Sequence, residues 1–186
     1  MKLVVDVSYT ITTNKELPIE NSANTNKETV INLINQAYFN LNGGESIRNQ
    51  KLQINADKIL ELDEQLLPRG NFTVLDNHEK SFHKCRKIGN LLLDDVFVFS
   101  SEEKHSVELF SEETGIKMQL ETNQPGMVVY APEKLPTVWD DTTAISDKQP
   151  AVCLETQNFP DAPSQTNFPS SILKPGEVYI NYSVYK

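Results

Sequence analysis

The stretch from Ala151 to Tyr179, AVCLETQNFPDAPSQTNFPSSILKPGEVY, constrains this chain more than any other. An apolar run (Ala151, Val152, Cys153, Leu154) closes on one carboxylate, Glu155, and opens into a segment too rich in Pro, Asn, Ser and Gln for helix or strand. A strand that ends on a charged residue and passes into a long loop presents that group at the rim of a sheet. Pro160, Pro163, Pro169 and Pro175 fix φ through the loop and lower the entropy of its unfolded form. The loop is therefore expected to hold one shape without a hydrogen-bonded ladder.

The rest of the chain reads as strands. Met1 to Thr12 alternates, with Leu3, Val5, Val7, Tyr9 and Ile11 on one face, which predicts a half-buried strand. A polar, turn-rich stretch from Asn14 to Lys27 leaves room for a short strand at Glu16 to Glu20. Thr29 to Gly44 is β-branched and aromatic, predicting a strand that Asn42, Gly43 and Gly44 end. Lys51 to Leu62 and Leu91 to Phe99 follow as strands. Glu112, Glu113, Thr114 and Gly115 mark a hairpin turn within His105 to Gln119, with the glycine at positive φ. Val178 to Tyr185 alternates as the last strand. No segment calls for a helix longer than a couple of turns, and no linker divides the chain, so a single all-β domain over residues 1–186 is expected.

Composition limits the partners. With 186 residues the chain has room for a sizeable core, and a net charge of −9 disfavours nucleic acid and anionic membrane alike. No apolar run is long enough for a membrane helix, and MKLVVDVSYT alternates where a signal peptide needs a continuous apolar core, so a cytoplasmic protein is expected. Cys85 and Cys153 are then free thiols by default, and the histidines at 78, 83 and 105 are too scattered for a metal site.

The order Leu154, Glu155, Thr156, Gln157, Phe159, Pro160, Asp161, then Asn167, Phe168, Pro169 and Leu173 to Glu177 resembles the C-terminal signature of the aldose 1-epimerases, or galactose mutarotases. Ile34, Asn35, Gln36, Ala37, Tyr38, Phe39, Asn40 and Leu41 match a second strand of that family, and Pro125 with Gly126 a third. Pro68, Arg69 and Gly70 stand at a family turn, where Phe82 and His83 follow. The resemblance implies a galactose mutarotase-like β-sandwich (supersandwich) of which this chain is the C-terminal half, incomplete at its N-terminal side. It implies Glu155 as catalytic base, Asp94 as the aspartate that binds sugar hydroxyls, and Asn35 as a substrate-binding neighbour. Gln36 stands where the family has the histidine that acts as general acid. An amide can donate a hydrogen bond to a ring oxygen but cannot transfer a proton near neutral pH. The family reaction interconverts the α and β anomers of free aldoses such as glucose and galactose by ring opening, with neither metal nor cofactor.

Plain alternatives stand beside these roles. Glu155 would otherwise be a solvated rim charge, Asp94 an edge-strand charge, Gln36 a polar strand residue, and Tyr38 and Phe39 core; Asp95 is expected to face solvent or a turn. His78 and His83 read as solvated, and Trp139 as partly buried. Three functional readings remain open: a mutarotase-like enzyme, a catalytically impaired sugar-binding module, and a truncated remnant translated from an internal methionine. A half sandwich would leave open sheet edges and an exposed apolar face, which invites self-association or a companion chain.

Overall fold

The computed structural model describes residues 1–44, 46–100, 105–135 and 148–186; Trp139 and most of the polar stretch 140–150 lie outside them. Fifteen strands are described, with no helix beyond the single 3₁₀ turns Ile47–Asn49 and Ala162–Ser164. The strands are β1 (Leu3–Tyr9), β2 (Leu17–Thr25), β3 (Thr29–Val30), β4 (Tyr38–Phe39), β5 (Lys51–Ile54), β6 (Ala56–Leu62), β7 (Pro68–Val74) and β8 (Arg86–Lys87). They continue as β9 (Leu93–Phe99), β10 (His105–Phe110), β11 (Lys117–Thr122), β12 (Gly126–Ala131), β13 (Val152–Gln157), β14 (Ile172–Leu173) and β15 (Tyr179–Tyr185).

Alternation along these strands gives each sheet one face to bury, and two sheets bury theirs against each other. A seven-stranded sheet runs β1-β2-β15-β11-β10-β5-β8, a six-stranded sheet runs β4-β13-β12-β9-β6-β7, and β14 pairs with β3. Leu52, Ile54, Val107, Leu109 and Leu120 of the first meet Phe97, Met127, Val129, Val152 and Leu154 of the second. The other face of the six-stranded sheet carries a smaller cluster, in which Phe159, Ala162 and Phe168 of the proline-rich loop pack on Leu60 and Val96. The loop thus holds its shape by pressing three apolar side chains onto the sheet and, contrary to the expectation of no ladder, by pairing Ile172 and Leu173 with β3. Phe159 and Phe168 meet edge to face with centroids 5.1 Å apart.

Two glycines permit that docking. A Cβ on Gly126 would lie 2.8 Å from both the Phe97 carbonyl oxygen and the Phe159 ring. Gly70, at φ +82° inside β7, would place a Cβ 2.6 Å from the Gln165 side chain, which itself donates to the Pro68 carbonyl at 3.0 Å.

Several expectations are corrected. Pro68, Arg69 and Gly70 begin β7; the turn lies before them, where the Asp63 carboxylate accepts from the Gln65 and Leu67 N–H groups at 2.8 and 3.0 Å. Thr29 to Gly44 contributes only β3 and β4, because the segment between is held by side-chain amides rather than a ladder. The strand expected at Glu16 to Glu20 extends to Thr25, with Ile19, Asn21, Ala23 and Thr25 inward. Lys51 to Leu62 divides at Asn55 into strands of different sheets.

The first strand is not half-buried. By register Val5 and Val7 share a face with the buried Ala23 and Asn21, yet Val7 is 50% exposed. β1 is the last strand of its sheet, and the small β14–β3 ladder covers Ala23 through Ile31 and Leu173 without reaching β1.

Candidate active site

Glu155 does not end its strand. The ladder continues through Thr156 and Gln157, because both polar side chains are satisfied inside: Thr156 Oγ1 lies 2.6 Å from Ser183 Oγ, and Gln157 Oε1 accepts from Asn32 Nδ2 at 3.2 Å. Glu155 is accordingly buried in mid-strand, 6% exposed. Cross-strand register puts Glu155, Val128 and Val96 in one row and Cys153, Tyr130 and Asp94 in the next, all on the face the proline-rich loop packs against. Two carboxylates from strands separated by β12 therefore face the same side, and Glu155 feels the charge of Asp94.

The Glu155 carboxyl is raised by burial first and then by the Asp94 charge, while a hydrogen bond donated by the Gln36 amide opposes the rise. Gln36, an exposed residue of the irregular segment before β4, thus reaches the carboxylate expected to act as base. Asn35 beside it donates from Nδ2 to the Tyr9 hydroxyl at 3.0 Å, and its buried Oδ1 has no partner. Asp94 is exposed at the end of β9, its carboxyl raised by desolvation first and then by Asp95, with Lys80 opposing. All four residues expected at the site, Glu155, Gln36, Asp94 and Asn35, lie in one region: Gln36 and Asp94 each interact with Glu155, and Asn35 adjoins Gln36.

Other groups join them that the sequence reading placed elsewhere. Tyr38 is not core: it pairs with Cys153 and hydrogen-bonds its sulfur, next to Glu155, whereas Phe39 does pack inward on Tyr185 with centroids 5.3 Å apart. Burial pushes the Cys153 thiol up to about 12, which leaves it a protonated wall and no nucleophile. Of the two alternatives for Asp95, solvent or a turn, the structure gives the turn that carries Lys80. Asp95 is 8% exposed and takes Lys80 Nζ on both oxygens at 2.7 and 2.8 Å. His83 is exposed as expected, whereas His78 is half-buried and accepts the Lys80 N–H at 3.1 Å.

Because the folded Glu155 carboxyl sits above its ordinary value of 4.5, folding favours its protonated form. That contribution to stability is present below about pH 4.5 and is lost as pH rises through the raised value. Glu155→Gln, neutral at every pH and nearly isosteric, is expected to melt above the wild type at pH 7, with the gap narrowing toward pH 4. Calorimetry across that range checks it; a variant less stable at neutral pH would contradict it.

A two-sheet all-β fold with paired carboxylates beside a long docked loop defines the class of galactose mutarotase-like β-sandwiches. The aldose 1-epimerase family model matches residues 1–186, and the chain belongs to that family. It is 32% identical over 197 residues to galactose mutarotase from Homo sapiens, covering 100% of this chain and 57% of that protein. With aldose 1-epimerase from Escherichia coli K12 the identity is 27% over 198 residues, across 97% of this chain and 57% of that one. A crystal structure of an aldose epimerase homologue from C. elegans superposes with TM-score 0.90 at 25% identity, covering 99% of this chain and 59% of that one. The chain thus spans somewhat more than half the length of these relatives. Among the described residues no helix is long and apolar enough to cross a membrane.

Proposed function

We propose that this chain binds a free aldose such as glucose or galactose and promotes interconversion of its α and β anomers through Glu155, with Asp94 and Asn35 holding the sugar. The observation that carries the reading is the convergence of two carboxylates with raised pKa on one face, one of them bonded by Gln36. A buried carboxyl raised above its ordinary value is a stronger base once ionised, which suits removal of the anomeric hydroxyl proton. Asp94 accepts from vicinal hydroxyls, and the unpartnered Asn35 Oδ1 takes another. Ring opening also needs a proton on the ring oxygen, and the Gln36 amide supplies only a hydrogen bond. A missing positioned acid removes about 10²- to 10⁴-fold of rate, so turnover by this chain is slow and binding outlasts it.

That same amide favours a second reading, a sugar-binding module with residual chemistry. We also propose that the site works in the cytoplasm, and that the exposed inner face of β1 associates with a second copy or a companion chain, since Val5, Val7 and Tyr9 lie open beside the strand edge.

Polarimetric mutarotation of fresh α-glucose and α-galactose, run on each size fraction of the purified chain, tests the assignment. The expected result is slow acceleration over the spontaneous rate that Glu155→Gln removes, strongest in the associated fraction. A rate equal to buffer in every fraction would sink the enzymatic reading and leave sugar binding, for which Asp94→Asn must then weaken the affinity for galactose.

A further inference from the structure

The ladder between β6 and β9 ends at the pair Ile59 and Phe97. Beyond it β6 bulges between Leu60 and Leu62 and continues with β7 alone. The parted strands leave a cleft of about 560 Å³ whose walls include Leu60, Leu62, Arg69, Lys80, Asp94 and Asp95. On this side the Asp94 N–H has no β6 carbonyl to meet, and it donates instead to Asp95 Oδ2 at 3.3 Å. Asp95, on the inward face, therefore fills in for the missing strand. Its carboxylate is itself fixed, because Lys80 grips both oxygens. Lys80 is held in turn by a tight turn in which the His78 and Ser81 N–H groups donate to the Leu75 and His78 carbonyls at 3.1 and 2.9 Å.

We propose that the Lys80–Asp95 pair is a positioning device for Asp94: it replaces the absent β6 partner and keeps the Asp94 carboxylate aimed at the mouth of the cleft. The inference rests on the reading of Asp94 as a sugar anchor. Neither residue of the pair needs to touch the sugar; both act through Asp94. The charged and titratable groups around Asp94 are Asp95 on its own strand, Lys80 from the β7–β8 connection, Glu155 on β13 and Tyr130 between them on β12, with Glu61, Asp63 and Arg69 lining the same cleft. Lys80 is the group that offsets the rise which burial and Asp95 impose on Asp94. Removing it lets the Asp94 carboxyl climb further, so sugar binding that needs the carboxylate fails at a higher pH than in the wild type.

The test is a carbon-detected NMR titration of the Asp94 carboxyl in the full chain, for the wild type and for Lys80→Met, Lys80→Arg and Asp95→Asn, with galactose as the probe. In Lys80→Met the midpoint is expected to rise, the Asp94 amide to exchange faster, and the galactose affinity to fall off on the acid side at a higher pH than in the wild type, recovering as pH rises. Lys80→Arg restores the wild-type midpoint, and Asp95→Asn lowers it, since a like charge is removed while a carbonyl acceptor stays. An unmoved midpoint and unchanged Asp94 exchange in a folded Lys80→Met variant overturn the proposal; if that variant does not fold, an unmoved midpoint in Asp95→Asn does so. If the midpoints move as described but galactose leaves the wild-type Asp94 signal unperturbed, the positioning pair stands and the sugar-anchor reading falls.

Discussion

Gln36→His is expected to raise the mutarotation rate by about two orders of magnitude, the lower end of what a positioned acid contributes. The Gln36 amide already reaches the Glu155 carboxylate, so a side chain at this position is carried to the reacting end of the site by the backbone that exists. Imidazole titrates near pH 6.5 and can therefore hand a proton to a ring oxygen that an amide can only approach. The change should also appear in the shape of the pH profile. With Gln36 the rate depends only on carboxyl ionisations: it climbs as the raised Glu155 and Asp94 carboxyls lose their protons, then levels off. In the Gln36→His variant a second limb is added, because the new imidazolium must stay protonated, and the profile becomes a bell that falls above about pH 6.5. The double variant with Glu155→Gln returns to the spontaneous rate if base and acid act on one sugar. A folded single variant with no gain in rate would show that the proton on the ring oxygen is not what limits this chain, and the account of Gln36 would be wrong.

The parts of this fold that could be read from the sequence are those where one local rule suffices. The β10–β11 hairpin is such a case: Gly115 adopts φ +72°, as the turn requires. The proline-rich loop is legible only in part: its composition keeps most of it out of a ladder, but Ile172 and Leu173 pair with β3, and neither that pairing nor the docking of Phe159, Ala162 and Phe168 follows from composition. Reading failed where polar side chains replace backbone partners. The residues between β3 and β4 look like strand by composition, but Asn32, Asn181 and Tyr179 hold them through long-range bonds that no window of sequence contains. The rule of alternation correctly sends Asp94 and Asp95 to opposite faces, yet it cannot show that Lys80, fifteen residues earlier, waits for the inward one. The end of β13 was misplaced for the same reason, as Thr156 and Gln157 count as loop formers until Ser183 and Asn32 are seen to satisfy them. Of the candidate site, Glu155, Asp94, Asn35 and Gln36 are proposed from the family pattern, and the fold brings them into one region. Tyr9 was placed only by its position in an alternating strand, which says nothing of its bond to Asn35.

Asn158→Ala should produce the largest loss of stability of any polar substitution near the site, roughly 2–4 kcal/mol and hence roughly 5–15 °C in Tm for a chain of this size. Asn158 follows β13 directly and is 7% exposed. Its Nδ2 donates to the Pro169 carbonyl at 2.9 Å and to that of Ser170 at 3.3 Å, while Oδ1 accepts the Phe159 N–H at 2.8 Å. One side chain thus ties both ends of the docked loop to the strand that carries Glu155. Alanine leaves the Phe159 N–H, a buried donor, without that acceptor and the two carbonyls without their donor, and an orphaned buried group costs more than a made bond contributes. The bonds between Asn158 and Asn32 run through the Asn158 backbone on this side, with its N–H donating to Asn32 Oδ1 at 3.0 Å and its carbonyl accepting from Nδ2 at 2.9 Å. Alanine keeps them, so Gln36 stays over Glu155 while the loop loosens. Hydrogen exchange separates the two effects: the Phe159 amide and the Ile31 amide, which donates to the Ser171 carbonyl at 2.8 Å, lose protection, while the amides of β12 and β13 keep theirs down to the lower global limit. Asn158→Asp retains the acceptor but turns a carboxylate toward two carbonyl oxygens, and is expected to be no more stable than the alanine variant. A Tm within about 2 °C of the wild type for Asn158→Ala would mean that the loop is held by its three apolar contacts alone, and that the proline-rich segment needs no polar hinge.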